Sequence, residues 1–340
     1  MAPDPGQNAS GQNVALVAIG RNEGDRLKRC LRSVMGSAGT VVYVDSGSTD
    51  GSVAYAASAG CHVVELDPSR PFSAAYARNE GVACILKQAP GVPFIQFVDG
   101  DCEMAEGWLA QAVAALEQRP DVGAVSGHVR ELYPEATVYN KLCDLEWRKE
   151  PGEIDATGGI FMVRTEAFMA VGGFRPEVIA AEDNEFCIRV RATGKKILHL
   201  DAEMVRHDAA MTHFSQWWRR AKRTGHAYGQ VAALHGKGGE QYFVSDRRRV
   251  WVWGLALPLA AILLARVTHG ASLLALLAAY ALQFVRIYQY GRGRGWPARD
   301  ARVYAFFTVL FKFPALLGLL AYHWRQWRGD DFTIIEHKGS

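Results

Sequence analysis

Cysteine is sparse in this chain, with six in 340 residues and no C-x-x-C pair among them. Cys30, Cys61, Cys84, Cys102, Cys143 and Cys187 all precede residue 188, and reduced thiols in a cytosolic compartment are the simplest expectation. Residues 1–12 lack the apolar core of a signal peptide and read as a disordered extension. There is no internal repeat and no low-complexity tract. Acid is scarce in one part only. Residues 211–340 carry 6 Asp and Glu against 18 Lys and Arg, whereas residues 1–210 carry 29 against 20, so the net charge of +3 conceals an acidic first part and a basic second part.

The basic part is also the apolar part. Trp251–Val267 and Ala271–Tyr288 are long apolar stretches separated by Thr268, His269 and Gly270, each near the lower limit of about 17 residues for a membrane span. They read as a helical hairpin, the alternative being a buried hairpin of a soluble domain. A third stretch, Val303–Tyr322, contains Lys312 and Pro314 and fits a re-entrant or interfacial helix as readily as a span. Arg247, Arg248 and Arg249 precede the first stretch, Arg292, Arg294, Arg299 and Arg302 follow the second, and Arg325 and Arg328 follow the third. The positive-inside rule puts the preceding domain, the 291–302 linker and the tail on the cytoplasmic face of an inner membrane, although an odd number of spans would put Arg325 and Arg328 outside. Before the hairpin, Trp217 and Trp218 stand among Arg219, Arg220, Lys222 and Arg223, a mixture suited to anionic lipid headgroups; the adjacent apolar hairpin makes lipid, not nucleic acid, the expected partner.

The first 100 residues alternate strand and helix patterns. Val14–Ile19 reads as a strand, followed by a polar turn at residues 21–24 and a helix with Leu27, Leu31 and Val34 on one face. Thr40–Val44 is a second strand ending at Asp45, with Ser46–Ser52 leading into a helix over Val53–Ala59. His62–Leu66 and Ser73–Lys87 make a third strand and helix, and Phe94–Val98 a fourth strand closed by Asp99. Strict alternation argues an α/β fold with a parallel sheet and helices on its faces. Ligands of such sheets bind outside the carboxyl ends of the strands, which is where Asp99 and Asp101 fall. Two carboxylates one residue apart suit Mg²⁺ or Mn²⁺, although Asp-Gly-Asp is also good turn chemistry.

The motifs occur in an order that resembles the family 2 glycosyltransferases of the GT-A fold, a Rossmann-like nucleotide-binding domain. They are Asn22 and Glu23, DSGSTDGS from Asp45, ARNEG from Ala77, the D-x-D at Asp99 and Asp101, and the Gly158-Gly159 pair, followed by GGF at Gly172–Phe174, AEDNEF around Glu182 and Asp183, and His207. The resemblance covers roughly residues 13–210, leaving an amphipathic linker at 211–249, a membrane region at 250–325 and a tail at 326–340. It implies donor contacts from Asn22, Glu23, Asp45, Ser46, Arg78, Asn79, Asp99, Gly158 and Gly159, with Asp45 on the base of a UDP-sugar and Arg78 on the diphosphate. It further implies Mn²⁺ or Mg²⁺ at Asp99 and Asp101 with His207 as a further ligand, Asp183 as general base and Glu182 as a positioning or acceptor-contacting residue. Each has a plainer reading: Asp45 starts a turn, Arg78 makes an ion pair, the glycines form a bulge, Glu182 and Asp183 cap a helix, and His207 is structural.

The implied reaction is an inverting, single-step transfer of one sugar from a nucleotide-sugar donor to a lipid-linked or envelope-glycan acceptor. Processive relatives have a Q-x-x-R-W motif; here Gln216 and Arg219 are followed by Arg220, which speaks against polymer synthesis. Two alternatives stand beside this reading. One is a polyprenyl-phosphate glycosyltransferase, disfavoured because that group has a DADLQ-type version of the D-x-D where this chain has DGDCE. The other is a non-catalytic membrane scaffold retaining the fold, against which Asp99, Asp101 and Asp183 count.

Overall fold

The computed structural model describes residues 13–329. The extension at 1–12 and most of the tail lie outside the described residues. The chain forms two compact units, one comprising residues up to Tyr133 together with Glu146–Ala209, the other Pro134–Leu145 together with the chain from Ala210 onward.

The first unit is built on one nine-stranded sheet in the order β3-β2-β1-β4-β8-β6-β9-β5, with β7 also paired to β9. Its first half follows the sequence pattern closely: β1 (Val14–Gly20), α1 (Asp25–Val34), β2 (Thr40–Asp45), α2 (Ser52–Ser58), β3 (His62–Glu65), α3 (Ala74–Gln88) and β4 (Phe94–Asp99). β1 is parallel to both β2 and β4, and β2 to β3. The register sets Gly20 opposite Asp45 and Ile19 opposite Asp99, so both aspartates reach the carboxyl edge of the sheet. The second half is mixed. After β5 (Cys102–Met104) and α4 (Trp108–Gln118) come β6 (Val122–Glu131), then α5 (Val138–Trp147), whose residues up to Leu145 belong to the second unit, then β7 (Gly152–Glu153), β8 (Phe161–Arg164), α6 (Thr165–Ala170), α7 (Glu182–Ala192) and β9 (Lys196–His207). β8 runs antiparallel to β4 and β6, and β5 antiparallel to β9. Strand-helix alternation ends at β4, so the sequence pattern carried no parallel pairing beyond it.

Alternation along β1 sends Val14, Leu16 and Ala18 into a core with Leu27, Leu31 and Trp108, and Ala15 and Val17 into a second core with Ile85, Phe97, Phe161 and Phe186. Each helix layer thus covers one face, as a parallel sheet requires. Gly81 permits the approach of α3, because a Cβ there would overlap the side chain of Val17.

The second unit is helical: α8 (Phe214–His235), α9 (Val244–Trp251) continuing through a π-helical segment (Val252–Ala256) into α10 (Leu257–Leu264), then α11 (Ala271–Gly293), α12 (Ala298–Leu310) and α13 (Lys312–Arg328). Gln216 begins α8 as a cap, its side-chain oxygen accepting from the backbone N–H groups of Thr212 and His213 at 2.7 and 2.9 Å. Pro314 offers no N–H to the carbonyl of Leu310, and the helix is interrupted at Phe311. Among the described residues, two helices are long and apolar enough to cross a membrane, Ala271–Gly293 and the combined stretch 298–328. The first apolar stretch is not one of them, its helix being divided by the π-helical segment and ending at Leu264.

Glycines join α8 to α13: a Cβ on Gly225 would strike the carbonyl of Ala315, and one on Gly318 the carbonyl of Lys222. Alanine normally stabilises a helix interior by about 1 kcal/mol relative to glycine. Overpacking against backbone, which cannot swing aside, costs about 1–3 kcal/mol or more, so the clash wins. Gly318→Ala is expected to lower the thermal unfolding midpoint of the detergent-solubilised protein; an unchanged or higher midpoint would contradict this packing.

Candidate active site

Two loops at the carboxyl edge of the sheet are stitched together. Asn22, in the left-handed region at φ 53°, receives a turn from both sides. Its N–H donates to Ser48 Oγ at 2.8 Å, and its Oδ1 accepts from the Thr49 N–H at 2.7 Å. The Gly24 N–H donates to Asp50 Oδ2 at 2.9 Å. Asp45 is 1% exposed, and its carboxylate accepts from the Tyr43 hydroxyl at 2.9 Å and from the N–H groups of Gly47 and Ser48 at 2.9 and 2.6 Å. The turn-starting alternative is therefore present in the structure: this carboxylate holds the loop, and a nucleobase would have to share it. The Ser46 N–H donates to the Gly20 carbonyl, and Glu23 pairs with Arg26 at 2.9 Å.

Arg78 links the two halves of the site. It projects from α3, is 2% exposed, and donates from Nη2 to Asp99 Oδ1 at 3.1 Å and from Nη1 to Glu182 Oε1 at 2.6 Å, with Phe174 beneath the guanidinium at 5.6 Å. Burial opposes its charge, but Asp99 and Glu182 outweigh that and raise its pKa above the ordinary arginine value. This is the ion pair of the plainer reading, formed with Asp99 and Glu182. It fixes Gly159 as well, since a Cβ there would lie 2.6 Å from Arg78 Nη2. Gly158 adopts φ 91°, which favours glycine.

Asn79 turns elsewhere. Its amide donates to the Phe174 carbonyl at 2.8 Å and accepts from the Phe174 N–H at 2.9 Å, so it organises the GGF turn. A Cβ on Gly173 would come 2.8 Å from that Asn79 oxygen.

Glu182 and Asp183 open α7, as expected, but neither is its N-cap: Ala181 holds that position at φ 58°. Asp183 is 8% exposed, and burial, reinforced by the neighbouring Glu182, raises its pKa above the usual carboxylate range despite the lowering influence of Arg78. Lys149 was not visible in the sequence, where it stands in an unremarkable charged run. Its Nζ donates to the carbonyls of Ala156 and Thr157 at 2.7 and 3.1 Å, anchoring the loop that leads to Gly158, and its own pKa is lowered by burial while Asp183 opposes that shift.

The metal-ligand residues come together in part. Asp101, 4% exposed, places Oδ1 3.1 Å from His207 Nε2, and Trp147 packs edge-on against the imidazole at 4.6 Å. Nδ1 of His207 is buried without a hydrogen-bond partner among the described residues. Donor atoms of Asp101, His207 and Cys102 lie within 4.8 Å of one another; Asp99 is not in this group, its Oδ1 being taken by Arg78. A carboxylate oxygen facing the imidazole Nε2 is a donor pair that fits a divalent ion. Cys102 is not legible in the sequence because its placement depends on strand pairing, directly opposite His207, and Trp147 because the end of α5 reaches the imidazole only in the folded chain.

A parallel β-α-β half-sheet with carboxylates at its carboxyl edge, continued by a mixed half, is the architecture of a GT-A domain. Residues 17–172 match the model of glycosyl transferase family 2. The pre-mycofactocin glycosyltransferase of Mycobacterium tuberculosis is 26% identical over 249 residues, which is 68% of this chain and 50% of the relative. The chain thus spans about half the length of the curated relatives it matches. Mannosyltransferase PcManGT from Pyrobaculum calidifontis, solved in complex with GDP-Man and Mn²⁺, aligns at a TM-score of 0.62 and 21% identity over 96% of this chain and 90% of its own. Residues 1–349 of S. aureus TarS align at 0.51 and 16% identity, covering 87% and 89%. Residues 17–172 thus carry a glycosyl transferase family 2 domain, as the order of the motifs implied.

Proposed function

We propose that the chain is an inverting, metal-dependent glycosyltransferase that moves one sugar from a nucleotide-diphosphate sugar to a hydroxyl of a lipid-linked or envelope-glycan acceptor at a membrane. The observation that carries this reading is the Asp99–Arg78–Glu182 bridge beside the buried Asp183. It joins the carboxyl edge of the nucleotide-binding strands to the start of α7, so a donor held at one end meets a base held at the other. Asp183 takes the proton of the acceptor hydroxyl, its raised pKa suiting proton uptake nearer neutrality. Glu182, held by Arg78, positions the acceptor. Gly158 and Gly159 leave room for the donor sugar. A divalent ion at Asp101 and His207 would neutralise charge on the departing diphosphate. The Asp45 carboxylate can accept from the imide N–H of uracil or the N1–H of guanine, and the Mn²⁺-bound relative carries GDP-mannose. Transfer of one sugar is supported by Gln216, which caps α8, and by the absence of tryptophan after Arg219.

The deciding assay is donor hydrolysis with UDP-, GDP- and dTDP-sugars, with Mn²⁺ or Mg²⁺ and with EDTA. Activity is expected to require the ion, and Asp101→Ala to weaken metal-dependent donor binding as well as turnover. Full activity in excess EDTA would refute metal dependence.

Membrane association rests on the helical hairpin from α10 to α11, whose leucines at 263, 274 and 277 are 69%, 69% and 64% exposed. Arginines at 247–249, 292, 294, 299 and 302 would keep its base on the cytoplasmic side of the inner membrane, with the catalytic unit. In intact cells His269→Cys is expected to react with an impermeant thiol reagent from outside, and Arg294→Cys only after permeabilisation. Labelling of both only from the cytoplasmic side would make the hairpin interfacial.

A further inference from the structure

The cluster at the end of β9 holds one donor atom that a nucleotide-sugar site has no evident need of. Cys102 and His207 are directly opposed in the antiparallel β5–β9 pairing, and Cβ atoms of such a pair stand about 4.5–5.5 Å apart. Cys102 is fully buried, and its thiol meets Asp101 Oδ1 at 3.5 Å, the same oxygen that lies 3.1 Å from His207 Nε2. Oxygen, nitrogen and sulfur therefore converge from three side chains, all within 4.8 Å of one another. Two further contacts hold the cluster's outer side. The Asp208 N–H donates to the Asp101 carbonyl at 3.0 Å, and Arg29 bridges Glu103 at 2.6 Å and Asp208 at 3.2 Å. The ends of β5 and β9 are thereby locked in register, and the three donors do not have to be gathered from separate mobile segments.

The geometry points to Cys102 as a third ligand for a thiophilic divalent cation of the Zn²⁺ or Co²⁺ class, bound together with Asp101 and His207 in the absence of nucleotide. Mg²⁺ and Mn²⁺ prefer oxygen and water and gain little from sulfur, whereas Zn²⁺ takes carboxylate, imidazole and thiolate in tetrahedral sites. On binding, the Cys102 S–H proton is released to solvent and a sulfur–metal bond replaces it, with no change of oxidation state. Because Asp101 and His207 serve both kinds of ion, a bound thiophilic cation excludes the Mn²⁺ or Mg²⁺ that donor binding uses. The site would then hold an inhibitory metal that is displaced competitively. This inference rests on the metal-dependent reading of the same residues; what it adds is the sulfur ligand and the class of ion that sulfur selects.

The test uses the full-length protein in detergent, without nucleotide. Co²⁺ is expected to give an intense thiolate-to-metal absorption band in the wild type that Cys102→Ser loses, with Zn²⁺ affinity falling about tenfold or more and Mn²⁺ affinity unchanged. Circular dichroism checks that the variant is folded. X-ray absorption of the Zn²⁺-loaded wild type needs no variant and is expected to show one sulfur at about 2.3 Å. A zinc shell of oxygen and nitrogen alone, or a cobalt band that persists in Cys102→Ser, overturns the sulfur ligand. If Mn²⁺-dependent donor binding is intact in that case, the proposed activity stands and only this inference fails; if donor binding is also metal-independent, both fail.

Discussion

Asp183→Asn is expected to lower turnover by about a hundredfold to ten-thousandfold, the usual cost of removing a positioned base, while donor binding and the fold survive. The structure sharpens this expectation, because Asp183 is not the N-cap of its helix and that role falls to Ala181. Asparagine keeps the size of the side chain and its contact with Asn184, which lies 3.1 Å from Asp183 Oδ2. Burial of a carboxylate without full compensation favours its neutral form, so the neutral amide should cost little stability. The pH dependence has a definite sign. A pKa raised by burial and by Glu182 means that the base ionises late as pH rises, so kcat/KM should climb through an acid limb lying above the ordinary carboxylate range. The same shift makes the Asp183 contribution to stability greatest at low pH and diminishes it as pH rises from the unfolded carboxyl value through the folded one. Glu182→Gln should be milder in turnover, since Glu182 meets Arg78 and positions it. Turnover above about a tenth of wild type in Asp183→Asn would transfer the base assignment to Glu182.

Arg78→Met should unfold the first unit more readily than any change confined to the loops, by about 3–5 kcal/mol. The methionine fills much of the arginine volume, so the cost comes mainly from stranding charge: Asp99 and Glu182 lose the cation they share, and Glu182 keeps only 13% of its side-chain exposure in which to find water. Asp99 is 34% exposed and better hydrated, which places the expected effect toward the lower end of the range. Restoring charge balance should recover stability without activity. Arg78→Met combined with Glu182→Gln is therefore expected to melt higher than Arg78→Met alone while donor binding stays lost. Equal midpoints for the single and double variants in thermal melts would show that the guanidinium acts by packing against Phe174 rather than as a counter-ion.

Much of the first half of the catalytic unit is legible from spacing. Leu27, Leu31 and Val34 announce α1 by their helical period, and the apolar run into Asp99 announces β4 and its end at the sheet edge, because burial on both faces of a parallel strand demands uninterrupted hydrophobic residues. The motif order also carried the family. The mixed pairing of β5 to β9 was not legible, since short strands of the second half take their direction from neighbours far away in the chain. For the same reason the aspartates of the D-x-D separate in a way their spacing conceals. Asp99, at the end of β4, joins Arg78; Asp101, one turn further, joins His207 and Cys102.

Asn79 and Asp45 show the limit from the other side. Their residue types suit a ligand, but each finds its hydrogen-bond partners within the protein, Asn79 on the backbone of Phe174 and Asp45 on Tyr43, Gly47 and Ser48. A buried polar side chain must be satisfied by something, and sequence does not say by what. Motif order was sufficient for the family, and composition and local periodicity for the strands of the first half, the acidic edge and the apolar basic region, because these depend on residues close together in the chain. Tertiary structure decided which carboxylates meet the guanidinium and which meets the imidazole, because those pairings arise from strand register and from segments far apart in the chain, as the bond from Arg78 to Glu182 spans 104 residues.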